Sequence, residues 1–308
     1  MPYLNFNSAS SALKLVISLL SIITIGLIVW FIGFLFFRLF FGIEIPEANT
    51  ILHGDTSMFS TAQIRYNMAV STIGFFILPG IFLQWLFSTP EKSYFEIQKK
   101  ANPVSRLLLL LTLLAAIPLI AYVYSYNKGM ELPSFMKSLE GALTQLEQSA
   151  QVLTNAVLTT GSFAGFLINV LIIAAIPAVG EELIFRGVFQ KIFSNLAQNK
   201  QMGVVLAAIL FSVVHGQFYG FIPRFLLGLF FGYLMLWSKT IWLPIAAHFI
   251  NNLIAVTLYY LYGSGLIALS PDSLYTKFLG APFVLVSLVL TGVGVWLIYK
   301  NEKQRALD

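Results

Sequence analysis

Runs of apolar residues about as long as a lipid bilayer is thick recur along this chain, and that recurrence constrains its fold more than any other feature. Spanning the hydrocarbon core takes ~20 mostly apolar residues in a helix. The first run, about Leu13–Phe41, contains no acidic residue. Further runs lie at about Tyr66–Phe87, Arg106–Tyr126, Ser162–Asn195, Met202–Gln217, Phe221–Trp237, Ile241–Tyr262 and Pro282–Tyr299. The expected fold is all-α, a polytopic membrane bundle of about eight transmembrane helices enclosing a polar cavity. Composition agrees: of 308 residues, 58% are hydrophobic and 10% charged, where soluble domains carry about 25% charged residues.

The order of the chain suggests three parts. Residues 1–159 hold three spans and a more polar stretch. Residues 160–262 form a core in which chemistry-bearing residues concentrate, and residues 263–308 hold the last span and a polar tail. The first run is far longer than the ~7–15-residue apolar segment of a cleaved signal peptide, so it is expected to stay as a helix. Pro118 lies inside the third run, where a membrane helix tolerates a kink. Leu139, Leu143, Leu146 and Leu153 recur at near-helical spacing, which predicts an amphipathic helix at or outside the bilayer surface.

Charge sets an expected orientation. Lys92, Lys99, Lys100 and Arg106 cluster between the second and third runs, and Lys300, Lys303 and Arg305 follow the last. The alternate loops carry Glu44, Glu47, Asp55, Glu131, Glu140 and Glu147. The excess of basic residues on the inner side then predicts both termini in the cytoplasm. The net charge of +5 follows from those loops and implies no nucleic-acid partner. The absence of cysteine excludes disulfides, thiolate metal ligands and a cysteine nucleophile.

Ionisable residues at membrane depth are costly and mark functional sites. The fourth run carries Glu181, Glu182 and Arg186, and its apolar periodicity continues through Phe193. One long helix to about Asn195 is therefore expected. At 1.5 Å per residue it would place Glu181 ~20 Å above that end, with His215 ~20 Å, His248 ~10 Å and Asn252 ~16 Å up their own helices. Glu182 and Arg186 are four apart, in the favourable order for an ion pair. Glu181, about 100° around the helix, is left free. His248 and Asn252 are also four apart and face one cavity.

A free carboxylate beside a histidine in such a pocket can deprotonate water. His248 and Asn252 can donate to a tetrahedral oxyanion. Glu181, His215 and His248 could instead ligate zinc, since two histidines and a carboxylate form a known catalytic set. The spacing alone does not choose, and both versions activate water for amide hydrolysis.

The pattern E-E-x-x-x-R (Glu181, Glu182, Arg186), F-x-x-x-H (Phe211, His215) and H-x-x-x-N (His248, Asn252) resembles the CPBP family of intramembrane proteases. That family includes type II CAAX prenyl endopeptidases and the Abi or bacteriocin-processing proteins. Pro244–His248 and the preceding Gly228 and Gly232 add to the likeness, which covers about residues 160–262. It implies an endopeptidase in which Glu181 and His215 activate water, His248 and Asn252 hold the oxyanion, and Glu182, Arg186 and Phe211 shape the site. The implied substrate is a membrane-anchored protein or peptide, prenylated in some relatives. The family has been described both as metalloproteases and as glutamate proteases. Asn252 suits an oxyanion hole better than a metal ligand, which favours the metal-free version.

Two other functions fit the residues less well: a catalytically silent scaffold or immunity partner, and a proton-coupled carrier using Glu181 and the histidines as a relay. Asn251, rotated off the His248 face, reads as helix–helix glue. Arg224 reads as an interfacial anchor or as a ligand for a substrate carboxylate. His53 is assigned nothing.

Overall fold

The structure is a computed structural model describing residues 6–42, 59–89, 91–97, 99–130, 133–271, 273 and 279–305. Glu44, Glu47, His53, Asp55 and Glu131 lie outside the described residues. Among the described residues every regular element is helical and there is no strand.

Five of the described helices begin at a side-chain cap. Helix α1 (Ser11–Phe41) starts at Ser10, whose hydroxyl accepts from the Leu13 N–H, and stops at Gly42 with φ 70°. Helix α2 (Thr61–Phe87) starts on a reciprocal Ser60–Gln63 capping box. Asn102 caps α3 (Pro103–Ala115), with Pro103 in the first turn where no N–H is needed. Helix α4 (Ile117–Lys128) follows at a 48° bend. After α5 (Lys137–Leu158), Ser162 caps α6 (Phe163–Leu196). Asn199 caps α7 (Lys200–Val214). Helices α8 (Phe221–Ser238), α9 (Trp242–Gly263) and α10 (Ala281–Arg305) complete the bundle.

Among the described residues six helices are long and apolar enough to cross a membrane: α1, α2, α6, α8, α9 and α10. The bent pair α3–α4 makes seven if counted as one span. The expected count of eight included the run that forms α7. That helix has 15 residues; its ~22 Å falls short of a ~30 Å hydrocarbon core. The bend between α3 and α4 has a local cause. Near Pro118, the Ser287 hydroxyl of α10 donates to the Ala115 carbonyl at 2.6 Å and accepts from the Leu119 N–H at 3.1 Å. It inserts between two groups that a straight helix would pair directly.

The outward faces are apolar, as lipid contact requires. On α1, Phe31, Phe36 and Phe40 are exposed while Phe37 packs inward with Phe59, Ile64 and Val157. This multi-pass bundle buries Glu182, Arg186, Gln190 and His248 in its interior.

Helix α6 runs through Pro177 without ending, helped by a π-helical turn at Val170–Ala175. A second π-helical turn spans Leu183–Phe189, and such turns recur at functional sites. The amphipathic helix expected between residues 127 and 160 is α5, and it is docked onto the bundle. Arg65 and Asn169 both donate to the Val157 carbonyl at its C-terminal end. Glu147 accepts from the Tyr219 N–H at 3.2 Å. Helix α5 therefore holds the loop that follows His215.

Candidate active site within the helical bundle

Three helices deliver ionisable groups to one place. Arg186 Nη1 donates to Glu182 Oε1 at 2.8 Å, and these side chains are 1% and 0% exposed. The same oxygen lies 2.8 Å from His248 Nδ1 on α9. Glu182 thus joins the expected ion pair to a histidine 66 residues away, which spacing alone did not reveal. A buried charge without a partner costs several kcal/mol; here Glu182 has two donors.

Arg186 is held on its other side as well. Its Nη2 donates to the Gly228 carbonyl at 3.0 Å, and one turn on, Gln190 Nε2 donates to the Gly232 carbonyl at 3.0 Å. Both bonds span 42 residues, so α6 and α8 run parallel and in step. The same two glycines let α7 pack closely against α8. A Cβ at Gly232 would lie 2.8 Å from Val204 Cγ1, and one at Gly228 3.1 Å from Ala208 Cα. Phe211 and Phe231 flank the guanidinium at 4.7 and 5.3 Å, within cation–π range. Phe231 also stacks on His248 at 5.1 Å, and Phe211 meets His215 edge-on at 4.9 Å.

Glu181 is free of these bonds. Its Oε2 is buried and has no hydrogen-bond partner. That oxygen lies 3.9 Å from His215 Nε2 and 4.0 Å from His248 Nε2. Both separations exceed a direct hydrogen bond and suit a bridging water. His215 Nδ1 lies 2.7 Å from the Phe211 carbonyl; a carbonyl only accepts, so the proton sits on Nδ1 and Nε2 faces Glu181 as an acceptor. The His215 side chain is 28% exposed against 14% for Glu181, which puts the opening of the site on the α7 side.

The sequence placed His248 ~10 Å below Glu181 on ideal helix rises, yet the two meet. The reason is the α8–α9 turn. Thr240 and Ile241 are 0% and 1% exposed, so α9 starts inside the bundle. The connector before α3 covers the turn: Thr240 Oγ1 donates to the Lys99 carbonyl at 2.5 Å and Trp242 Nε1 to the Ile97 carbonyl at 2.9 Å.

Glu181, Glu182, Arg186, Phe211, His215 and His248 are thus brought together. Asn252 sits one turn beyond His248, and its Nδ2 donates to the Ile173 carbonyl of α6 at 3.1 Å. Asn251, expected to join helices, instead donates to Asn252 Oδ1 on its own helix at 3.2 Å, and the bond that joins α9 to α6 is that of Asn252. The sequence reading missed Phe231 and Gln190. The available signal was spacing: Gln190 lies four residues after Arg186, as Gly232 does after Gly228.

Among the described residues no group of three or more His, Cys, Asp or Glu side chains is arranged to hold a metal ion. Tetrahedral zinc with bonds of ~2.1 Å sets neighbouring ligand atoms ~3.4 Å apart. The two histidine nitrogens stand 3.9 and 4.0 Å from Glu181, wider than that set.

The structure therefore places a polar cluster of two acids, two histidines and an arginine inside a multi-pass membrane bundle. Residues 163–254 match the family model described as Type II CAAX prenyl endopeptidase Rce1-like. That match over the core of the chain supports the resemblance to the CPBP family of intramembrane proteases. No curated protein and no solved structure matches the chain.

Proposed function

We propose that this protein hydrolyses a peptide bond of a membrane-associated protein or peptide, using water activated by Glu181 and His215. The observation that supports it best is the Glu181 oxygen standing 3.9 and 4.0 Å from two histidine nitrogens with no partner of its own. A water there gives its proton to Glu181 as its oxygen attacks the peptide carbonyl carbon. The carbonyl oxygen becomes an oxyanion, which His248 Nε2 and the second Asn252 amide hydrogen stabilise. Collapse breaks the C–N bond, and the proton on Glu181 passes to the leaving amine.

His248 has a further requirement. Its Nδ1 already donates to Glu182, so donating through Nε2 as well needs the doubly protonated ring. Glu181 and Glu182 then balance Arg186 and His248. Glu182 is in this scheme a positioning residue, holding the ring that faces the oxyanion.

The test is a cleavage assay on membrane-tethered peptides, prenylated CAAX tails and otherwise anchored peptides included. Wild type is compared with Glu181→Ala and His248→Ala. Both substitutions are expected to abolish turnover in folded protein, and persistent cleavage in either would overturn the assignment. Treating active enzyme with a chelator separates the two versions of water activation: unchanged turnover is expected of the metal-free one.

A further inference from the structure

Arg224 is the cation of this region that the ion pairs of the site do not use. Helices α6 and α8 run in step, with Arg186 on Gly228 and Gln190 on Gly232, both 42 residues apart. One turn back, the same register sets Glu182 level with Arg224. A residue that looks interfacial by its position near the start of a helix therefore stands at the height of Glu182, next to Glu181 in the chain.

Its surroundings leave the charge incompletely met. Arg224 Nη2 donates to Gln217 Oε1. Its Nη1 is buried with no hydrogen-bond partner, packed where a side chain at Gly220 would stand. Among the described residues no carboxylate lies within 4.0 Å of the guanidinium. Glu147, Tyr124 and Glu181 act on it at longer range, and it acts in turn on His215. Glu147 is committed elsewhere, to the Tyr219 N–H. A guanidinium kept charged at depth with a free donor is poised for an anion, and carboxylates match its planar fork.

We propose that Arg224 binds a carboxylate of the peptide substrate and thereby fixes which bond reaches Glu181. This rests on the protease reading above. The carboxylate is either the free C-terminus or an acidic side chain. Cleavage would then fall at a set distance from that group. Arg224 would act through substrate binding, so its loss raises KM more than it lowers kcat.

The experiment uses the full-length protein in detergent with three versions of one cleavable membrane-anchored peptide: free C-terminal acid, C-terminal amide, and amide with an internal glutamate near the cleaved bond. Wild type is expected to show KM at least ~10-fold lower for one carboxylate-bearing version than for the plain amide, the scale of a charge-assisted hydrogen bond. The favoured version identifies the source. In Arg224→Gln that preference collapses, and Arg224→Lys restores part of it. A merely structural Arg224, anchoring the 215–220 loop, would affect all three peptides equally, and that result overturns the proposal. So would equal KM values in wild type. Binding of the same peptides to Glu181→Gln, read by fluorescence anisotropy, needs no turnover. It tests the carboxylate preference even if no cleavage is seen, an outcome that would count against the protease reading alone. Equal affinity for all three peptides there again overturns the role of Arg224.

Discussion

The side-chain amide of Asn252 donates to the carbonyl of Ile173 at 3.1 Å, and Pro177, four residues after Ile173, has no N–H to offer that carbonyl. Proline inside a helix removes the i→i−4 donor, and in membranes neighbouring helices commonly supply a replacement. Asn252 is that replacement, and the contact ties α9 to α6 one turn from His248. Asn252→Ala should lower stability by about 1 kcal/mol, the scale of an interhelical hydrogen bond in a membrane. In a Pro177→Ala background the backbone donor returns and the same substitution should cost less. Equilibrium unfolding in mixed micelles, run as a double-mutant cycle, measures the difference. Additive effects would show that the two residues are not coupled.

Glu182 holds Arg186 and His248 through one oxygen. Arg186→Ala should therefore leave a buried carboxylate short of a partner and destabilise by about 3–5 kcal/mol. Replacing the pair together, Glu182→Leu with Arg186→Met, removes both charges and should be markedly less destabilising than Arg186→Ala. The double variant should nonetheless be inactive, because His248 loses the group that orients it. Unfolding curves and turnover measured on the same preparations check this. A double variant that still cleaves would rule out orientation of His248 by Glu182.

How much was legible in the sequence follows from which interactions are local. The Glu182–Arg186 pair could be read because residues four apart share a helix face, and α6 extends to Leu196 because apolar periodicity does. The bridge from Glu182 to His248 depends on how deeply α9 starts, which is set by the buried turn at Thr240 and by a connector more than a hundred residues earlier in the chain. No periodicity encodes that. The count of eight spans is not confirmed at α7 for a related reason: its apolar run extends to Gln217, but the helix stops at Val214 and turns at Gly216, with φ 64°. The depth of Arg224 was hidden in the same way, since it follows from the α6–α8 register and not from its distance to a helix end.

Glu181 should separate activity from stability. Its Oε2 makes no hydrogen bond, so Glu181→Gln removes a buried charge without breaking a contact of that oxygen. Turnover should fall by at least ~100-fold, the range for loss of a general base. Thermal stability in detergent should hold or rise, because a neutral amide is cheaper to bury than a carboxylate. Equal losses in both measurements would make Glu181 a structural residue.

The parallel seating of α6 on α8 gives the last prediction. Gly228 and Gly232, whose carbonyls accept from Arg186 and Gln190, are also where α7 packs closely against α8. At Gly232 an added Cβ meets Val204 Cγ1 at 2.8 Å and Gln190 Oε1 at 3.0 Å. Both are side-chain ends, so some relaxation is available. At Gly228 the nearest atom is the Cα of Ala208 at 3.1 Å, which moves only with α7. Overpacking of this kind costs about 1–3 kcal/mol. Gly228→Ala should therefore shift α7 and with it His215, reducing turnover more than Gly232→Ala does at comparable loss of stability. Measuring kcat and unfolding for both variants decides it, and a larger activity loss in Gly232→Ala would contradict the packing order described for these helices.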